Sequence, residues 1–211
     1  MATPHPVPPV TNHGSETYDF TLKEFEIKHT RSIHNDTDVV NLYLAVGNNP
    51  AQKQQKSIGD VNDGHHKVGL TISNVKVGPN DKVAFTYVIM NQGHKNKGKL
   101  EGALDTGISE LTSKAAAAVG DFAGGPAGAA IAGQASNWIA KHLQDLISPD
   151  RDGPVAVATH VFTGTQLAQA TASGKPLTTT EDNAHTSNRG NARYNVTFTI
   201  QRREHQVAKA G

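Results

Sequence analysis

The feature that most limits what this chain can fold into is a two-residue alternation of apolar and polar side chains. In "RYNVTFTIQ", Tyr194, Val196, Phe198 and Ile200 fall on one face and Asn195, Thr197, Thr199 and Gln201 on the other. Only an extended strand, whose side chains point alternately up and down, sorts residues this way. "DVVNLYLAVG" repeats the pattern with Val40, Leu42, Leu44 and Val46, and "KVGLTIS" with Val68, Leu70 and Ile72. "DKVAFTYVIMN" is apolar on both faces, which predicts a central strand covered on both sides. "GPVAVATHVFTG" has the same character, with Val155, Val157 and Val161 expected on one face.

"YDFTLKEFEIKH" alternates through Tyr18, Phe20 and Leu22, then changes parity to Phe25 and Ile27. One added residue flips every later side chain, so a bulge or tight bend is expected at Lys23–Glu24. Turn-forming clusters separate these runs: "GNNPAQ", "GDVNDGHH", "VGPNDK", "SPDRDGP", "ASGKP" and "NRGN". Six or seven short strands with such punctuation predict a mainly β fold, an antiparallel β-sandwich of Greek-key type. A partly open barrel is the alternative architecture.

One stretch breaks the β pattern and makes the class α+β overall. Leu104, Ile108, Leu111, Ala115, Ala118 and Phe122 recur at steps of three and four, as on one face of a helix. Gly124-Gly125-Pro126 interrupts, and Pro126 suits the first turn of a second helix. Ile131, Ala135, Trp138, His142 and Leu146 then continue at helical spacing until Ser148-Pro149. An α-helical hairpin is therefore expected at about 101–148. The chain then divides into a flexible Pro-rich arm at 1–16, one sandwich domain at 17–203 and a tail at 204–211.

No charge occurs from Phe122 to Ala140, and Gly120, Gly124, Gly128 and Ala132 form a ladder of small residues. That pattern fits a membrane-embedded contact. Against it, the stretch is broken by Gly-Gly-Pro, carries Gln134, Ser136 and Asn137, and owes its apolar strength to a few side chains, among them Phe122, Ile131 and Trp138. Close packing of soluble helices on the sheet is the expected use, and membrane insertion the lesser alternative.

Composition excludes several chemistries. The 211 residues contain no Cys, so disulfides, thiol catalysis and zinc–thiolate sites are ruled out. A formal net charge of +1 gives no global field for nucleic acid, and no helix-turn-helix, finger or RNP-type motif is present. The first residues carry four prolines and no apolar stretch of secretory type. A soluble protein is expected, cytoplasmic or exported by a non-classical route. No GxSxG elbow, P-loop or GxGxxG fingerprint marks an enzyme.

Candidate sites are turns rich in oxygen ligands or basic groups. Asp36, Asp38, Asp60, Asp63, Asp150 and Asp152 lie in such turns and form the candidate calcium set. The Asp150 loop is not an EF-hand, because its twelfth position is Val161 where a bidentate Glu is needed. His29, Arg31 and His34, with His94, Lys95 and Lys97, form the candidate ligand- or partner-binding set. The function expected is a non-enzymatic binding module. It would recognise a carbohydrate or a protein through loops at one sandwich end, with calcium as the cofactor to test. A membrane-active protein using the Ala/Gly hairpin, with Phe122, Gly124, Gly128, Ile131 and Trp138, is one alternative. A hydrolase is the other, and it requires a His held by a carboxylate.

Overall fold

The computed structural model describes residues 14–29, 36–91, 97–118, 153–183 and 193–203. Eight strands form two four-stranded antiparallel sheets. They are β1 (Glu16–His29), β2 (Asp36–Val46), β3 (Gln52–Val61), β4 (Gly64–Val77), β5 (Lys82–Asn91), β6 (Gly153–Thr163), β7 (Leu177–Asp182) and β8 (Arg193–Arg202). One sheet runs β4-β1-β8-β7 and the other β3-β2-β5-β6. Among the described residues two helices connect strands: α1 (Lys97–Ala118) between β5 and β6, and α2 (Gly164–Ala170) between β6 and β7. The mainly β fold with a helical insertion is therefore the observed architecture.

The alternation builds the core directly. Tyr18, Phe20, Leu22, Phe25 and Ile27 of β1 meet Tyr194, Val196, Phe198 and Ile200 of β8, and opposite them lie Leu42, Leu44, Phe85 and Tyr87 of the second sheet. Aromatic rings close the middle of the sandwich, with Phe85 between Phe20 and Phe198 at centroid distances of 5.9 and 5.1 Å. Such tilted pairs add to the area they bury.

The parity change in β1 is a bulge. Leu22 faces Phe198 while Glu24 faces Thr197, so Lys23 is the extra residue that returns Phe25 and Ile27 to the core. β4 carries its own irregularity. Tyr18 faces Val75 and Phe20 faces Ile72, which leaves Ser73 and Asn74 to bulge outward. Asn74 takes φ +61°, and its N–H donates to Asp19 Oδ1 at 2.9 Å. Asn is among the few side chains that enter this left-handed region at low cost.

β5 is central and buried along nearly its whole length, as its two apolar faces require. Its inner face meets the other sheet and its outer face lies under α1. Tyr43, Val88, Met90 and Val157 receive Ile108 and, partly, Leu111. Ala45 and Ala84 receive Ala115 and Ala116. Small residues on both partners let the helix backbone lie close to the sheet. Thr112 donates to Thr86 at 3.0 Å, and Thr86 bonds Thr159 at 3.1 Å, so the polar groups under the helix are satisfied together.

In β6 the expected common face is split. Val157 and Val161 lie on the α1 side, but Val155 joins the core between the sheets. The cause is a register break: Met90 pairs with Pro154 and Ile89 with Ala156, leaving Val155 over. Beyond that point Ala158, His160 and Phe162 take the face toward the core.

The first helix of the expected hairpin is therefore observed, beginning at Lys97 and packed on the sheet. Residues 119–152, with Phe122, Gly124, Gly128, Ile131 and Trp138, lie outside the described residues. Among the described residues no helix is long and apolar enough to cross a membrane.

Candidate functional site

Strand directions sort the connections by end. His29 pairs with Arg193, Ile27 with Gly64, Asp36 with Val61, Asp38 with Asn91, and Asn91 with Gly153. The strand ends that border residues 30–35, 62–63, 92–96, 148–152 and 184–192 thus share one end of the sandwich. At the other end the strands join tightly. Gly47 N–H donates to Lys82 O, and Asp81 closes the β4–β5 turn by accepting from Gly78 N–H at 2.7 Å.

α2 seals that second end. Thr163 caps it and shares a reciprocal capping box with Gln166, at 3.2 and 2.8 Å. Leu167 is inserted into the core. Gly164 sits so close to the β4–β5 turn that an added Cβ would come within 1.9 Å of Gly78 O.

The candidate ligand residues that are described belong to the first end. Among the calcium candidates, Asp36 begins β2. Asp38 is fully buried and accepts from Tyr194 OH at 3.2 Å, a bond that joins the two sheets. Asp60 is exposed and accepts from Thr37 Oγ1 at 2.7 Å. Asp63 stands in the exposed β3–β4 turn. Among the described residues no group of three or more His, Asp or Glu side chains is arranged to hold a metal ion. His29 ends β1 and Lys97 begins α1. Asp150, Asp152, Arg31, His34, His94 and Lys95 lie outside the described residues.

Two further polar groups border this end on the outer face of the first sheet. Glu26 is engaged by Lys28, lies 3.6 Å from His65 and accepts from Asn195 at 3.3 Å. The Lys28 bond holds its carboxyl below the ordinary carboxylate range. Arg193 forks onto Asp182. Threonines extend across this face in register: Thr71, Thr21, Thr199 and Thr178 form one row over all four strands.

A second set, not anticipated from the sequence, occupies the open side where β6 and β7 are the outermost strands. Tyr87 OH donates to Glu181 Oε2 at 2.8 Å, and His160 Nε2 lies 3.1 Å from the same oxygen. Asn183 Nδ2 donates to Tyr87 OH at 2.9 Å. The carboxylate can only accept, so His160 carries its proton on Nε2. The imidazole rests against Phe198 at 4.5 Å, with Phe85, Tyr87 and Phe162 around it.

Burial pushes the Glu181 carboxyl up, but the His160 contact and the Tyr87 bond outweigh it and hold it below its ordinary range. Tyr87 is driven the other way, first by burial and then by the Glu181 charge. The His160 and Glu181 side chains remain 17% and 27% exposed, so the pair is reached from solvent.

Chemically this is a His held by a carboxylate, a pairing that hydrolytic sites use and that structural ion pairs use as well. Among the described residues the only side chain bonded to the imidazole is Glu181, and no hydroxyl nucleophile is joined to it. The sequence did contain a signal for half of the set. Parity in "VATHVF" puts His160 beside Ala158 and Phe162, an imidazole among core residues. Glu181 sits in "LTTTED", whose single apolar residue hides the strand.

No protein-family model matches the chain, and no curated protein is similar to it at a significant level.

Proposed function

We propose that this protein is a non-enzymatic binding module that recognises its partner with the segments gathered at one end of the sandwich. The observation that carries this reading is the contrast between the ends. One is closed by tight turns and α2, and the other borders the β1–β2, β5–β6 and β7–β8 connections. Recognition surfaces are commonly built from loops that a rigid scaffold holds in place. Asp36, Asp38, Asp60 and Asp63 belong to that end, which keeps calcium assistance in the proposal. The ligand class is a carbohydrate or a protein surface.

The test compares two variants with the native protein on immobilised neutral and acidic polysaccharides and on a protein panel. In one, residues 184–192 are replaced by a Gly/Ser segment. In the other, Thr180 and Thr197 on the outer face become Ala. Loss of binding in the first variant alone is expected; loss in the second alone overturns the reading. Calcium is examined separately by melting with millimolar calcium against EDTA. A ligand of the native state must raise the melting temperature, so an unchanged value removes the metal.

A second reading, a hydrolase, rests on the His160–Glu181 pair. Ester or glycoside turnover that His160→Gln abolishes, with folding intact, would favour it over the binding module.

A further inference from the structure

Among the described residues β7 is an edge strand that pairs with β8 alone. Its side toward the other sheet carries Leu177, Thr179 and Glu181, and only the half-buried Leu177 adds apolar packing to the core. The other strands of that sheet each bring several fully buried apolar side chains, such as Phe20, Leu22 and Phe25 of β1. Hydrophobic burial therefore does little to hold β7 against the opposing sheet. What spans the gap is polar: Glu181 receives Tyr87 from β5 and His160 from β6, and Asn183 reaches back to Tyr87.

The geometry points to an acid-operated latch, in which the Glu181 carboxylate ties β7 to β5 and β6 and its protonation frees β7 as a local unit. Among the described residues the titratable groups that face Glu181 are Tyr87 from β5 and His160 from β6. β8 presents Val196 and Phe198 on this side, and Asp182 and Arg193 pair with each other on the outer face. A neutral carboxyl accepts more weakly than a carboxylate and brings a proton of its own toward two donors. Should the imidazole also be charged, it loses its counter-ion among Phe85, Phe162 and Phe198, where an unpaired cation is costly. Departure of β7 would open the edge of β8 to another strand.

Native-state hydrogen exchange, read by mass spectrometry and corrected for intrinsic rates, tests this. Between neutral pH and a pH below the ordinary carboxylate range, protection over residues 177–182 is expected to fall about ten- to hundredfold, the size set by losing hydrogen bonds to a charged group. Protection over residues 18–27 and 68–77 should hold at the same pH. Glu181→Gln should show the loss already at neutral pH and no further acid step. Tyr87→Phe, which keeps the ring and deletes one donor, should show a smaller loss at neutral pH, and it decides the matter if Glu181→Gln fails to fold. The latch is overturned if β7 loses protection in step with β1 and β4. It is equally overturned if the folded variants protect β7 as the native chain does at neutral pH.

Discussion

The two ends of this sandwich are held together by different means. At the closed end, backbone meets backbone: Gly164 lies against Gly78 O, Gly164 N–H bonds Asp81 O at 2.8 Å, and Thr165 N–H bonds Pro79 O at 3.0 Å. Leu167 fills the space beneath. At the other end side-chain bonds add to the strand ladders: Tyr194 to Asp38 between the sheets, and Thr37 to Asp60 and Arg193 to Asp182 between neighbouring strands. Backbone packing leaves no room to adjust, whereas side chains can find new rotamers or partners. The closed end should accordingly be brittle and the other end tolerant of substitution.

The comparison breaks most visibly at Gly164. A Cβ there must displace the β4–β5 turn, so Gly164→Ala should cost about 3 kcal/mol or more in urea unfolding. If its midpoint matches that of a variant shortened within 184–192, the two ends do not differ. Leu167→Ala empties a fully buried site under α2 and should cost about 2–4 kcal/mol by the same measurement.

The third prediction concerns pH. The folded protein holds Glu181 below its ordinary pKa, so the unfolded chain binds this proton first as the solution is acidified. Its contribution is fully present above the ordinary carboxylate value and is lost as pH falls through the lower folded value. The stability gap between the native protein and Glu181→Gln should therefore close on acidification. A gap that stays constant with pH would separate Glu181 from any titrating role.

Thr163→Ala removes the cap of α2 and one half of its capping box, at about 1 kcal/mol. Arg193→Ala, at the exposed Asp182 pair of the opposite end, should leave the unfolding midpoint unchanged. A larger effect at Arg193 than at Thr163 would reverse the expected order of the two ends.

Much of the scaffold was legible in the alternation, and the reason is physical. Where one face of a strand meets the core and the other meets water, the two environments write themselves into successive residues. That made β1, β2, β4, β5, β6 and β8 readable, together with the extra residue at Lys23. β3 and β7 were not, because both are edge strands with little apolar surface to bury. "QKQQKSIGDV" is polar on nearly every residue, which suits an edge that must not recruit other chains. "LTTTED" offers only Leu177 to the core. The parity of Val155 was misplaced because a register break leaves no mark in hydropathy.

The same logic explains what was missed at the candidate site. His160 was visible on an apolar face, but Glu181 acquires meaning only once β7 is known to lie opposite β6. Tyr87 and Asn183 are separated by nearly half the chain, and pairings of that kind come from topology. The Asp-rich stretches misled in part: Asp63 stands in the β3–β4 turn, but Asp36 and Asp38 belong to β2 and Asp60 to β3, because Asp also sits at strand ends where hydropathy shows no difference from a turn.

One feature of the sheet order bears on how the domain can be joined to other things. β1 and β8 lie side by side in the middle of one sheet, and Arg203 N–H bonds Thr17 O at 2.8 Å. The chain therefore enters and leaves the domain at neighbouring points on the closed end. Whatever is attached before Glu16 or after Arg203 is anchored behind the sandwich, a full strand length from the end proposed for recognition. Like a plug, the domain has both wires at its base, so a tether, fusion or support joined there leaves the opposite end facing outward.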